Sequence, residues 1–141
     1  MTTINDIMTR KVSTIELDDT LQTAAQRMRD LDIGALPVTD DGALVGMVTD
    51  RDITIRAVAD GLNVQDALVS DVMTAEVQSC RSTDSVDAVL KQMGDAQLRR
   101  LAVLDRDHRI VGIVALADLA TKQNAPTDAV LREISEPAPT A

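Results

Sequence analysis

The chain has 141 residues, 26% of them charged, a formal net charge of -9 and a mean hydropathy near zero. That suits one compact domain or two half-domains sharing a core, and no apolar run approaches the roughly 18 residues of a membrane span. The acidity and the complete absence of Phe, Tyr and Trp exclude the clustered cations and stacking platforms of non-specific nucleic-acid binders.

Residues Met1 to Asp6 show neither the basic stretch nor the apolar core of a secretion signal, so a cytoplasmic location is expected. Val12 to Ile15 reads as a short strand. Asp19-Thr20-Leu21-Gln22 reads as a helix start, with Asp19 as the cap and Gln22 at the reciprocal position. The helix runs to about Leu31 on a stripe of Leu21, Ala24, Ala25 and Met28. Ala35 to Thr39 and Leu44 to Val48 follow as strands around the turn signal Asp40-Asp41-Gly42, and Pro37 points to an edge or a strand start. A second helix begins at Asp50, carries Ile53, Ala57 and Val58, and stops near Gly61.

The order then returns. Asp6-Ile7-Met8-Thr9 is repeated as Asp71-Val72-Met73-Thr74, and Leu44-Val45-Gly46-Met47-Val48 as Ile110-Val111-Gly112-Ile113-Val114. Between them lie a strand at Val77 to Cys80, a helix from Asp84 to about Asp95 with Val86, Val89, Leu90 and Met93, and strands at Leu101 to Leu104 and Ile110 to Val114. A helix follows at Asp118, and the second turn is one residue longer than the first. Each unit is β-α-β-β-α, an α/β (α+β) class. Residues 1–61 form repeat one, 62–70 a connector, 71–123 repeat two, and 124–141 a tail with a short helix at Val130, Leu131 and Ile134. A period of about 65 residues is too long for a solenoid and too short for a good core of its own, so the copies are expected to pack together about a pseudo-twofold axis.

Cys80 and His108 are each the single residue of their type, so no intrachain disulfide is possible and no zinc-like spacing exists; no metal site is expected. Cys80 reads as a small buried apolar residue, His108 as a solvated turn residue, and Met28 and Met93 as core.

With Asp-Ile-Met-Thr and Asp-Val-Met-Thr opening the units, Ile33-Gly34-Ala35-Leu36-Pro37-Val38, Arg99-Arg100-Leu101-Ala102-Val103 and Gly46-x-x-Thr49-x-x-Asp52, the chain resembles the CBS domain pair, or Bateman module, over residues 4 to about 122. Its first half, especially Asp32 to Ile53, is similar to small stand-alone CBS proteins of the bacterial hypoxic-response type. The resemblance implies two sheets facing each other, two clefts that hold adenosine-containing ligands, and association of two modules.

A nucleotide needs a slot for the base, an acceptor for ribose hydroxyls and donor-rich surroundings for phosphate. The resemblance implies that each cleft takes its acceptor from one repeat and its base slot from the other. Carried onto this chain, Asp52 accepts from the ribose and Thr49 bonds sugar or α-phosphate, while Met47, Val77 and Leu98 sandwich the purine. Arg99 and Arg100 then face the phosphates, with the helix start after Thr49 adding partial positive charge. The second cleft joins Asp118 to Val12, Ile33, Gly34 and Ala35. It is the weaker one, because Ala115 replaces the hydroxyl and Gly34-Ala35 the arginine pair. Spacing alone favours a helix capping box for Thr49 and Asp52, the repeat and Arg99-Arg100 favour ligand binding, and the two roles are compatible.

The expected function is a non-catalytic regulatory module. It binds an adenine nucleotide as regulatory ligand, requires no other cofactor, forms a homodimer and signals in trans to an unidentified protein target. The residues do not choose among AMP, ADP, ATP, NAD and S-adenosylmethionine. The alternative is a ligand-free interaction or scaffold module. An enzyme is disfavoured, since the sequence offers no nucleophile-base pair, metal cluster or phosphate-cradling Gly-rich loop.

Overall fold

Leu21, Ala24 and Met28 are buried along one face of helix α1 (Leu21–Leu31), as their spacing requires, whereas Ala25 is exposed. The computed structural model describes residues 2–123, and the expected tail helix at Val130, Leu131 and Ile134 lies outside them. Two compact units result: one is Ser13–Val77, the other combines residues 2–12 with residues 78–123.

In the Ser13–Val77 unit, β1 (Ile15–Glu16) precedes α1, followed by β2 (Ala35–Asp40) and β3 (Ala43–Thr49). The sheet order is β1-β2-β3, with β1 parallel and β3 antiparallel to β2. Asp41 and Gly42 close the hairpin at φ 52° and 90°, the left-handed pair of a type I′ turn. Helix α2 (Asp50–Asp52) runs on as a π-helical turn at Ile53–Val58 that buries Ile53 and Ala57 and leaves Val58 exposed.

Pro37, expected at an edge or a strand start, sits inside the central strand. Its partner Met47 directs its N–H and C=O to Thr74, both at 2.9 Å, so the missing donor of Pro37 faces β1 instead. Pairing with β1 accordingly starts one residue later, at Ile15 with Val38, and the strand is Ile15–Glu16 rather than Val12 to Ile15. In the other unit Ala102 stands where Pro37 stands here. There β4 (Ser79–Arg81) begins pairing at Ser79 with Ala102 and is one residue longer.

The cap of α1 is Thr20, whose hydroxyl accepts from the Thr23 N–H at 3.2 Å, and not the expected Asp19. Asp19 is already engaged: its Oδ2 accepts from the Glu16 N–H at 3.0 Å, on the free edge of β1. Arg27 donates to the Thr14 carbonyl on the same edge. The second unit repeats the device. Asp84 accepts from the Arg81 N–H at 2.9 Å, Gln92 donates to the Ser79 carbonyl at 2.9 Å, and Ser85 caps α3 (Val86–Ala96). Each short edge strand thus has polar groups blocked against further pairing.

Both helices end without glycine. Asp32 and Gln97 take left-handed φ of 54° and 57°, and Ile33 and Leu98 return their N–H groups to Met28 and Met93 at 3.0 and 2.9 Å. Ile33 and Leu98 then pack on the cores of their respective units.

In the second unit β4, α3, β5 (Arg100–Leu104), β6 (Ile110–Ala115) and α4 (Leu116–Gln123) reproduce the sheet as β4-β5-β6. Met93 is fully buried and Met28 nearly so, as expected. The compact units do not coincide with the consecutive stretches 1–61 and 71–123. Copy two's Asp71–Thr74 segment completes the sheet of copy one through Met47 and Thr74, and copy one's Thr9 exchanges bonds of 2.8 and 2.9 Å with Ile113 of copy two. The two repeated motifs are therefore partners. A Cβ on Gly46 would lie 2.7 Å from the Thr74 carbonyl oxygen, and one on Gly112 would lie 2.6 Å from Met8 Sδ and 2.9 Å from the Thr9 oxygen. Asp6 and Asp71 fasten these segments by accepting from the N–H groups of Thr3 and Leu68 at 3.2 and 2.9 Å.

Candidate functional site

The hairpin register brings the exit of β3 beside the entry of β2. Ala35 pairs with Thr49, and the Asp50 N–H donates to the Gly34 carbonyl at 2.9 Å. At that exit Thr49 and Asp52 form the reciprocal capping box: the Asp52 N–H donates to Thr49 Oγ1 and the Thr49 N–H to Asp52 Oδ2, both at 3.0 Å. Capping engages one lone pair on each side chain. The Thr49 hydroxyl keeps its proton, and Asp52 keeps Oδ1, which faces Arg56 Nε at 4.0 Å without a hydrogen bond. The Asp52 side chain is 17% exposed, so the carboxylate is held and still reachable.

Of the first set of site residues, Met47, Thr49, Asp52 and Val77 belong to the Ser13–Val77 unit, and Leu98, Arg99 and Arg100 to the other. Met47 is half-buried next to the Thr74 bridge, and Val77 is half-buried at the end of its unit. In the second set, Ile33 lies in the unit of Thr49, whereas Val12 and Asp118 lie in the unit of Arg99. Within that unit the local pairing is the same as in the first. Arg100 pairs with Ala115, and the Leu116 N–H donates to the Arg99 carbonyl at 2.8 Å. Asp118 sits half-buried in the first turn of α4, and Ala115, standing where Thr49 stands, has no oxygen with which to cap. Each unit therefore sets the strand exit at Thr49 or Ala115 beside its own Gly34–Ala35 or Arg99–Arg100. Sequence reading passed over Arg56, although its i,i+4 spacing from Asp52 was a signal for it.

Two open grooves of about 470 and 420 Å³ run along α1 and α3, and no candidate residue lines either. Cys80 is buried as expected, and burial first, then the Asp84 charge, pushes its thiol up to about 12. His108 is exposed in its turn at φ 65°. Among the described residues no helix is long and apolar enough to cross a membrane.

The model of the CBS domain matches residues 4–58 and 69–124. The chain belongs to the CBS domain family. CBS domain-containing protein YhcV of Bacillus subtilis is 40% identical over 137 residues, 96% of each chain. Hypoxic response protein 1 of Mycobacterium tuberculosis is 40% identical over 133 residues, 94% of this chain and 91% of that one. A crystal structure of hypoxic response protein I with two coordinated zinc ions superposes with a TM-score of 0.77 at 41% identity, covering 86% of this chain and 99% of that one. The CBS domain pair of protein MJ0100, in complex with 5'-methylthioadenosine and S-adenosyl-L-methionine, superposes with a TM-score of 0.69 at 27% identity, covering 88% and 97%.

The zinc ions belong to the hypoxic response protein structure. This CBS pair has one Cys and one His, the thiol is buried and resists ionisation, and the described residues contain no group of three or more His, Cys, Asp or Glu able to hold a metal.

Proposed function

We propose that this CBS pair is a regulatory module that takes an adenosine-containing ligand of the AMP, ADP or ATP kind. Asp52 receives the ribose hydroxyls and Thr49 the sugar or α-phosphate. The observation that carries this reading is the capping box, which orients both side chains while leaving Asp52 Oδ1 and the Thr49 hydroxyl proton available. A nearly buried carboxylate with a preset orientation loses little freedom on accepting a diol. The adenosyl ligands of the MJ0100 pair favour the same chemistry. By the family resemblance, Met47 and Val77, in the same unit as Asp52, flank the purine. Asp118 is the weaker acceptor, because Ala115 supplies neither hydroxyl nor cap.

The signal passes in trans, to a protein target reached by a homodimer. Ile55 and Val58 in the π-helical turn, 52% and 62% exposed, and Leu62 just beyond it, 40% exposed, are large apolar side chains suited to cover by a second copy. Light scattering at tens of micromolar is expected to give a dimer mass.

The deciding experiment uses the missing aromatics. With no Trp or Tyr in the sequence, a bound purine dominates the near-ultraviolet spectrum. After nuclease treatment, equilibrium dialysis against millimolar AMP, ATP, NAD and S-adenosylmethionine is expected to give a 260 nm excess of about one ligand per chain. No bound purine with any of the four overturns the reading in favour of a ligand-free scaffold.

A further inference from the structure

Arg56 joins two parts of the Ser13–Val77 unit that lie far apart in sequence. Its Nη1 donates to the Val72 carbonyl at 3.1 Å, and its Nε stands 4.0 Å from Asp52 Oδ1. Two residues beyond Val72, Thr74 exchanges both backbone bonds with Met47, which lies two residues before Thr49 on β3. The Asp52 carboxylate in turn accepts from the Thr49 N–H. The contacts close a circuit: Thr49, Asp52, Arg56, Val72, Thr74, Met47 and back to Thr49. Arg56 itself sits in the π-helical turn Ile53–Val58, a backbone form that is rare and recurs at functional sites.

We infer that Arg56 is a positioning residue that couples the Asp52 carboxylate to the Val69–Thr74 segment. This deepens the proposed function and rests on it only for what Asp52 receives. The link to Asp52 is a charge pair beyond hydrogen-bond range on a side chain 53% exposed, so it is adjustable. The link to Val72 is a directed bond. A hydroxyl that donates to Asp52 Oδ1 competes with the guanidinium for the same charge, and the change is felt at Val72 and hence at the Met47–Thr74 bridge.

Hydrogen exchange followed by NMR on the full chain tests this at the Thr74, Met47 and Thr49 amides. The Glu16 amide, bonded to Asp19 in the same unit, serves as the control. Arg56→Met is expected to speed exchange at Thr74 and Met47 about fivefold, the loss of one charged donor, and to leave Glu16 unchanged. Arg56→Lys restores part of the protection, since its point charge replaces the guanidinium fork. Asp52→Asn speeds Thr74 exchange as well, and the double variant is no faster than Arg56→Met alone, because both remove one circuit. Unchanged Thr74 exchange in Arg56→Met overturns the inference. So does an equal rise at Glu16, the mark of a general loss of stability, or additive effects in the double variant. Millimolar AMP is expected to alter Thr74 exchange in the wild type and not in Arg56→Met, while Thr49 responds in both. An equal AMP response at Thr74 in both proteins also overturns it. If AMP alters no amide in either protein, the adenosine reading fails for that ligand, and the ligand-free comparisons still decide the role of Arg56.

Discussion

Gly46→Ala is the sharpest test of how the repeated motifs meet. The added methyl would lie 2.7 Å from the Thr74 carbonyl oxygen and 2.9 Å from Met73 Sδ. The sulfur ends a flexible side chain and can swing away. The carbonyl belongs to the bridge with Met47, which is made of two backbone bonds of 2.9 Å. Moving it costs about 1–3 kcal/mol of overpacking and weakens two hydrogen bonds of about 1 kcal/mol each. Alanine's smaller conformational entropy in a strand returns about 0.5–1 kcal/mol. The net loss is about 3 kcal/mol. Gly112→Ala meets the Met8 sulfur first and the Thr9 carbonyl at 2.9 Å, so about 1–2 kcal/mol is expected there once the sulfur moves. Gly61→Ala is the control: nothing lies within 4 Å, and only the left-handed φ of 73° opposes the methyl, at about 1 kcal/mol. Urea unfolding followed by far-ultraviolet circular dichroism measures all three, since the chain has no tryptophan to report by fluorescence. Gly46→Ala within about 0.5 kcal/mol of wild type, or no worse than Gly61→Ala, would refute the packing argument.

At the site, Asp52→Ala is expected to cost about 1.5–3 kcal/mol of nucleotide affinity by calorimetric titration and Asp118→Ala much less. Equal losses would show that Ala115 does not disable its end. Charge reversal at Arg99 or Arg100, which the family resemblance assigns to phosphate, should weaken nucleotides far more than adenosine, because only the phosphate interaction is removed; an unchanged ratio would release both arginines from that role. The Cys80 thiol, pushed from 9.0 to about 12, keeps its proton in the fold while the unfolded chain gives it up. The folded state then binds more protons, so stability falls as pH rises from 9.0 towards 12, by up to about 1.4 kcal/mol per pH unit. Urea titrations below and above 9.0 should show this slope in the wild type and its loss in Cys80→Ala; equal slopes would assign it to other groups.

The helices and strands were legible because their apolar spacing is regular, and the Asp41-Gly42 turn because both residues accept a left-handed backbone. Asp19 and Thr20 are adjacent capping types, and only the strand edge, a tertiary feature, decides that the carboxylate serves Glu16 and the hydroxyl serves the helix. Pro37 misled for a related reason. A missing donor marks a side of a strand rather than a place in a sheet, and here that side faces the point where β1 runs out. The exchange of Asp6–Thr9 and Asp71–Thr74 between copies could not come from periodicity, which carries no long-range pairing. A signal was nonetheless present, since a glycine and a Met-Thr pair that recur together suit a close backbone contact.

Thr49 and Asp52 illustrate why a capping pattern and a binding pattern are hard to separate from sequence. Each requires a hydroxyl and a carboxylate three residues apart at the end of a strand. In the structure the capping bonds set the orientation in which the proposed ligand contact would be made. By accepting from the Thr49 N–H, Asp52 fixes which of its oxygens remains outward, and by accepting from the Asp52 N–H, Thr49 fixes its χ1. A side chain so held has already given up the rotamer freedom that ordering by a ligand would otherwise cost, about 0.5–1.5 kcal/mol. Capping thus makes a ligand contact at this pair stronger than the same residues would make on an unstructured turn. At Ala115 and Asp118 the hydroxyl half of that reciprocity is missing, which makes substitution at the two carboxylates the direct comparison of an acceptor beside a capping hydroxyl with one beside a methyl.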